Sequence, residues 1–112
     1  MSFDVTATPY FLRDLKPLSK KYRSLKKDIA VFLRSLENNP FQGDELSPGI
    51  RKIRLAVTSK GKGKSGGARV ITYTVVFAEN QGHVYVMGIY DKSEFSTVDV
   101  AVIKAIIAEL GL

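Results

Sequence analysis

Phe3, Val5 and Ala7 alternate with polar neighbours, a period of two that predicts a short opening strand. The pattern then changes. Thr8 stands before Pro9, where a missing N–H costs a helix nothing, and predicts an N-cap. Phe11, Leu15, Leu18 and Tyr22 follow at helical spacing, with Pro17 inside the pattern predicting a kink or an early stop. Ser24 is placed to cap a second helix with the stripe Leu25, Ile29, Phe32 and Leu36, and Asn38-Asn39-Pro40 ends it. The two together read as an antiparallel helical hairpin.

From Phe41 to Gly49 the chain is rich in Gly, Pro, Asp and Ser and reads as loop. The β pattern then returns. Ile53, Leu55 and Val57 alternate with Lys52, Arg54 and Ala56, Arg69 to Phe77 is dense in β-branched and aromatic residues, and His83 to Tyr90 follows the turn AENQG. Adjacent runs of this kind predict an antiparallel meander. Ser96 and Asp99 resemble a capping box opening a last helix, with Val102, Ile103, Ile106, Ile107 and Leu110 inward and Gly111 as its stop. The expectation is one α+β domain over residues 1–112: an N-terminal helical hairpin packed on a small antiparallel sheet, then a C-terminal helix.

Composition narrows the chemistry. The chain has no cysteine and a single histidine, His83, so no metal or cofactor is expected. No apolar run approaches a membrane span, and MSFDVTATP lacks the features of a signal peptide, so a cytoplasmic protein is expected. Charge is more telling. The net charge is +6, and from Leu46 to Ala78 there is no acidic residue, while Arg51, Lys52, Arg54, Lys60, Lys62, Lys64 and Arg69 all fall there. A second basic group runs from Arg13 to Arg34, diluted by Asp14 and Asp28. Clusters of this kind favour a polyanion, nucleic acid first.

The stretch SKGKGKSGGAR, Ser59 to Arg69, has the look of a phosphate loop. A Walker A loop, however, needs its first glycine where Thr58 stands, and a helix where the β-rich run from Arg69 begins. The nucleotide reading fails on both. Two readings remain, a flexible hairpin tip and the rim of a nucleic-acid site. If Lys52 and Arg54 alternate with Ile53 and Leu55, they project from one sheet face with Cα atoms about 7 Å apart, near the spacing of successive phosphates. Arg69, opening the next strand, reaches the same place if the hairpin closes in register. Lys60, Lys62 and Lys64 then become phosphate contacts at the rim.

The pieces Lys52-Ile-Arg-Leu-Ala, Ser59 to Gly67, Ala68-Arg-Val-Ile and Ile89-Tyr-Asp-Lys-Ser-Glu resemble the core of RelE/HigB-type toxins, of the RelE/ParE superfamily. KGKGKSGGARVI followed further on by IYDKSE points to the HigB-like branch. The resemblance implies a ribosome-dependent mRNA endonuclease, the toxin of a bacterial type II toxin–antitoxin module. In such an enzyme the RNA 2′-hydroxyl attacks the adjacent phosphate and leaves a 2′,3′-cyclic phosphate and a 5′-hydroxyl. That chemistry needs a base for the 2′ proton, charge stabilisation at the phosphorane and an acid for the leaving oxygen. Carried over by position, Arg69 and Arg54 stabilise the phosphorane, Lys52 is the candidate base and Lys92 the candidate acid. Some members carry a tyrosine where this chain has Val98; no tyrosine follows Tyr90, which becomes the candidate substitute. Tyr73 reads as core and His83 as a turn residue.

The partners implied are the ribosome, its mRNA, and an antitoxin that covers the basic face with acidic and apolar groups on a helix. Two other functions compete. A ParE-like member of the same fold poisons DNA gyrase, and a non-catalytic RNA- or ribosome-binding module needs the basic face without the reaction.

Overall fold

The computed structural model describes residues 3–95 and 97–112. In chain order the elements are β1 (Asp4–Ala7), α1 (Pro9–Lys21), α2 (Leu25–Asn38), β2 (Asp44–Ser47), β3 (Ile50–Leu55), a single 3-10 turn (Thr58–Lys60), β4 (Ala68–Ala78), β5 (Gln81–Asp91) and α3 (Val100–Leu110). The architecture is α+β, with three helices and a five-stranded mixed sheet of order β1-β5-β4-β3-β2. Strands β3 to β5 form the expected antiparallel meander, β2 extends it by a strand that was not expected, and β1 joins β5 in parallel. The sheet is therefore not purely antiparallel. The helical crossover after β1 is what makes a parallel pairing possible.

The sheet buries both faces. On one, Phe11 of α1 and Leu25, Ile29, Phe32 and Leu36 of α2 pack against Ile53, Leu55, Val70, Val84, Val86 and Ile89. On the other, Ile103 of α3 packs against Ile50, Ile71 and Met87. Thr8 caps α1 as expected, its hydroxyl accepting the Phe11 N–H at 3.3 Å. Pro17 does not stop that helix, which runs on to Lys21. Both Pro17 and Arg13, whose carbonyl loses its bond to the proline, are exposed, so water replaces the missing donor.

Other expectations need correction. Ser24 occupies the N-cap position of α2 in a helical conformation, and its hydroxyl donates to Asp28 Oδ2 at 2.7 Å instead of capping. The expected loop 41–49 contains β2, a four-residue strand too short and polar to show a period. The capping box begins at Ser96, outside the described residues; Asp99 caps α3 itself, accepting the Ala101 N–H at 2.9 Å. Val102, expected inward, is 54% exposed, because α3 turns only a narrow stripe through Ile103 toward the sheet. No helix among the described residues is long and apolar enough to cross a membrane.

Candidate nucleic-acid interface

The row of interest lies on the sheet face that carries α3. Ile53 and Leu55 belong to the opposite core, so Lys52 and Arg54 project onto the α3 face by alternation. On β4, Val70 joins the α1–α2 core and Ile71 the α3 core, which puts Arg69 on the α3 face as well. Register completes the row: Arg54 lies opposite Arg69, and Arg69 opposite Tyr90. The Thr74 N–H bonds the Gly49 carbonyl, which makes Arg54–Arg69 a non-hydrogen-bonded pair, the closer of the two antiparallel kinds at about 4.5 Å between Cα atoms.

Tyr90 reaches this row through a β-bulge. Val84 and Val86 face the α1–α2 core, and strict alternation would send Tyr90 there too. The register shift between Ile71 and Thr72 leaves Met87 unpaired and inverts the parity, so that Ile89 returns to the α1–α2 core and Tyr90 emerges beside Arg69. Gly88, inside a strand pattern, is the residue type that marks such a bulge, while a period count alone misses it.

Like charges directly opposite each other repel, and the protein resolves the clash by turning Arg69 away. Arg69 is 6% exposed, and its guanidinium donates to three backbone carbonyls: Nη1 to Lys64 at 3.0 Å and Ala68 at 3.2 Å, Nη2 to Ser65 at 2.9 Å. Arg69 is the inner clamp of the glycine–lysine loop. Arg54, by contrast, is exposed, and with Lys52 and Lys64 it lines a hollow of about 370 Å3. Among the described residues these three cations form no ion pair with a carboxylate.

The loop is pinned at two further points, so the flexible-tip reading does not hold. The 3-10 turn docks on the start of α2: Thr58 donates to Asp28 through its N–H at 2.9 Å and its hydroxyl at 2.7 Å, and the Ser59 N–H donates to the Ser24 hydroxyl at 2.8 Å. Burial pushes the Asp28 carboxyl up, but the Thr58 and Ser24 hydrogen bonds outweigh it and hold the carboxyl below its ordinary value. The second pin is Lys60. Its Nζ donates to Asp91 Oδ1 at 2.6 Å, to the Ser93 hydroxyl at 2.7 Å and to the Gly67 carbonyl at 3.3 Å. Asp91 also accepts the Tyr22 hydroxyl at 2.5 Å and the Ser93 N–H at 2.9 Å. Burial alone would raise the Asp91 carboxyl, yet the bonds from Lys60, Tyr22 and Ser93 hold it far below the usual carboxylate range.

The glycines serve this geometry. Gly61 and Gly63 take positive φ of 72° and 64°, and a Cβ on Gly67 would lie 2.0 Å from the Leu55 carbonyl. They shape a tight return toward β4, not a phosphate cradle.

Several expected contacts are therefore redistributed. Lys60 is a buried ion-pair partner, not a rim cation, leaving Lys62 and Lys64 as the exposed loop lysines. Arg51 lies on the opposite face, its guanidinium 5.1 Å over the Phe41 ring and 3.6 Å from Glu45. Lys92 is exposed just beyond β5, where its N–H bonds the Gly67 carbonyl at 3.2 Å, and it does not line the hollow with Lys52 and Arg54. His83 sits at the other end of β5, stacked on Tyr85 at 4.2 Å and bonded to Thr6 at 2.6 Å. Tyr73 packs against the α3 core.

Tyr90 is the second functional candidate in the row. Its hydroxyl is buried and has no hydrogen-bond partner among the described residues. Burial pushes its pKa up while the Arg69 guanidinium pulls the other way, and the balance lies above the ordinary phenol. A phenol held in that direction keeps its proton near pH 7. No protein-family model matches the chain.

Proposed function

We propose that the chain is an RNA-cleaving toxin of the RelE/HigB type, acting in the cytoplasm on ribosome-bound mRNA and held in check by a cognate antitoxin. One observation carries the reading: Arg54, Lys52 and Lys64, none of them in an ion pair among the described residues, share one hollow with a single carboxylate, Asp44, and Arg54 links that hollow to the cross-strand row Arg54–Arg69–Tyr90. On this reading the two N-terminal helices, the sheet and α3 are the RelE/ParE arrangement.

The roles follow from the surroundings of each group. Arg54 and Lys64 neutralise the scissile phosphate, and the phosphorane that forms when the 2′ oxygen attacks gains more from them than the ground state does. Lys52, half-buried in the same row, is the base that the resemblance implies, a role it fills only after its ammonium has given up its own proton. The Tyr90 hydroxyl, buried and outside the hollow of Lys52, Arg54 and Lys64, donates toward the reacting phosphate or the departing 5′ oxygen once bound RNA uncovers it, supported by Lys92 from the loop side. Arg69 acts at one remove, by holding the loop that presents Lys62 and Lys64.

The test is cleavage of a defined message in a translating extract. Cuts ending in a 2′,3′-cyclic phosphate and a 5′-hydroxyl are expected, and Arg54→Ala, whose side chain is exposed, removes them without lowering the melting temperature. An intact message with normal translation refutes the toxin reading. Stalled translation on an uncut message supports a non-catalytic ribosome binder, and loss of supercoiling by gyrase supports the ParE-like function.

A further inference from the structure

Beyond Lys52 the outer edge of β3 has no neighbouring strand. β2 pairs only with Ile50, Arg51 and Lys52. The ladder parity set by the Thr74–Gly49 bond aims the main-chain groups of Ile53 and Leu55 at β4, and those of Arg54, and of Ala56 after it, outward. Among the described residues these outward groups meet no main-chain partner. An edge of this kind is a template for another strand.

The ground on either side of that edge differs. Toward α2 lies a groove of about 740 Å3 whose apolar lining is Phe32, Leu55 and Val31, the last 62% exposed, together with the cations Lys27, Arg54 and Lys64. Beside it lies the hollow of Lys52, Arg54 and Lys64, which shares Arg54 and Lys64 with the groove and adds Lys52 and Asp44. Of the carboxylates nearby, Asp28 is already engaged by Thr58 and Ser24, and Asp44 stands opposite Lys52 on β2, so the three cations outnumber the one acid that shares their hollow. A strand laid along this edge therefore sends alternate side chains to an apolar wall and to three cations.

We propose that the open edge of β3 takes an extended peptide of alternating apolar and acidic residues as an added strand. Apolar side chains lie against Val31 and Phe32, acidic ones pair with Lys52, Arg54 and Lys64, and the peptide main chain bonds Arg54 and Ala56. RNA does not fit this edge. Its 2′-hydroxyls and base N–H groups are not spaced as a continuous ladder of alternating donors and acceptors, which the outward N–H and carbonyl groups of Arg54 and Ala56 ask for. The inference shares Lys52, Arg54 and Lys64 with the ribonuclease reading but rests on main-chain geometry, and peptide binding and message cleavage are read in separate assays, so either can fail alone.

The test uses the full chain and a short synthetic peptide alternating valine and glutamate, with blocked ends. Binding is followed by fluorescence anisotropy, and edge pairing by amide hydrogen exchange. The expected result is binding together with at least about tenfold slower exchange at the Arg54 and Ala56 amides. Methylating the peptide nitrogens that face the edge should weaken binding by about tenfold or more. Val31→Asp, at an exposed position that leaves the fold intact by circular dichroism, should weaken it similarly, and a valine–lysine peptide should not bind. Three results overturn the proposal: no binding of the valine–glutamate peptide, equal binding of the methylated peptide (charge attraction alone), or protection of the two amides by single-stranded polyuridine but not by the peptide.

Discussion

Replacing Lys60 with methionine removes a cation that touches no solvent-facing site, yet it should damage both stability and RNA handling. The Lys60 side chain is 7% exposed and that of Asp91 1%, so the variant strands a buried carboxylate. Deleting one member of a buried ion pair costs about 3–5 kcal/mol. Asp91 keeps Tyr22 and the Ser93 N–H, with Lys21 at 3.5 Å, which places the loss near the lower end, about 3 kcal/mol. At about 2.1 cal/mol/K per residue, a chain of 112 residues unfolds with about 235 cal/mol/K, and the melting temperature should fall by about 13 °C. Calorimetry of Lys60→Met, Asp91→Asn and the double variant gives the coupling. The double variant, with no charge left to strand, should lose clearly less than the two single losses combined. Message cleavage by Lys60→Met, assayed well below its melting temperature, should also fall, because the Gly67 carbonyl loses its ammonium and the loop carrying Lys62 and Lys64 loosens. A melting temperature within about 4 °C of the wild type, or strictly additive losses, would refute the view of Lys60 as the pin of the loop.

Other outcomes are equally specific. Arg54→Ala should reduce the slope of log affinity for RNA against log salt by about 0.7 per lost phosphate contact, read from binding isotherms over a salt series. Tyr90→Phe should raise stability by about 1 kcal/mol in urea denaturation, since it removes an unpartnered buried hydroxyl, while lowering cleavage; a variant as active as wild type denies the hydroxyl a role. Arg69→Lys cannot reproduce the fork on the Lys64, Ala68 and Ser65 carbonyls, so hydrogen exchange at Ser65 to Gly67 should quicken even where the fold persists. Stability should also fall with acid. Asp91 and Asp28 titrate lower in the folded chain than the unfolded value of about 3.9, so their stabilisation is complete above that pH. It drains away as pH drops from there toward the folded values, because the unfolded chain takes up protons first. The urea midpoint should decline below about pH 4, and less steeply in the double variant Lys60→Met, Asp91→Asn.

The sequence conveyed its elements where periods were strong and lost them where tertiary contacts decide. The stripes of α1 and α2 and the run of β4 stood out because each buries a regular face against the sheet. β2 escaped notice because four polar-edged residues carry no period, and the parallel seat of β1 depends on a crossover that no local pattern encodes. The site was legible in kind and not in detail. Alternation in β3 placed Lys52 and Arg54 on one face, and register brought Arg69 opposite. What charge counting could not separate is a cation that binds a ligand from one that binds the protein. Lys60 and Lys62 look alike two residues apart, yet Asp91 claims the first, an acid contributed from the far end of β5. Arg69 was likewise assigned to phosphate when the nearest acceptors are the carbonyls of its own loop. The arrival of Tyr90 depends on a bulge at Met87, which alternation by itself predicts away.

The most direct measurement uses a message carrying one 2′-deoxynucleotide at a mapped cleavage position, presented to the wild-type chain in a translating extract. Scission should vanish at that position and persist at unmodified ones, as attack by the 2′ oxygen beside Arg54 and Tyr90 requires. Undiminished cutting at the deoxy position would contradict the account.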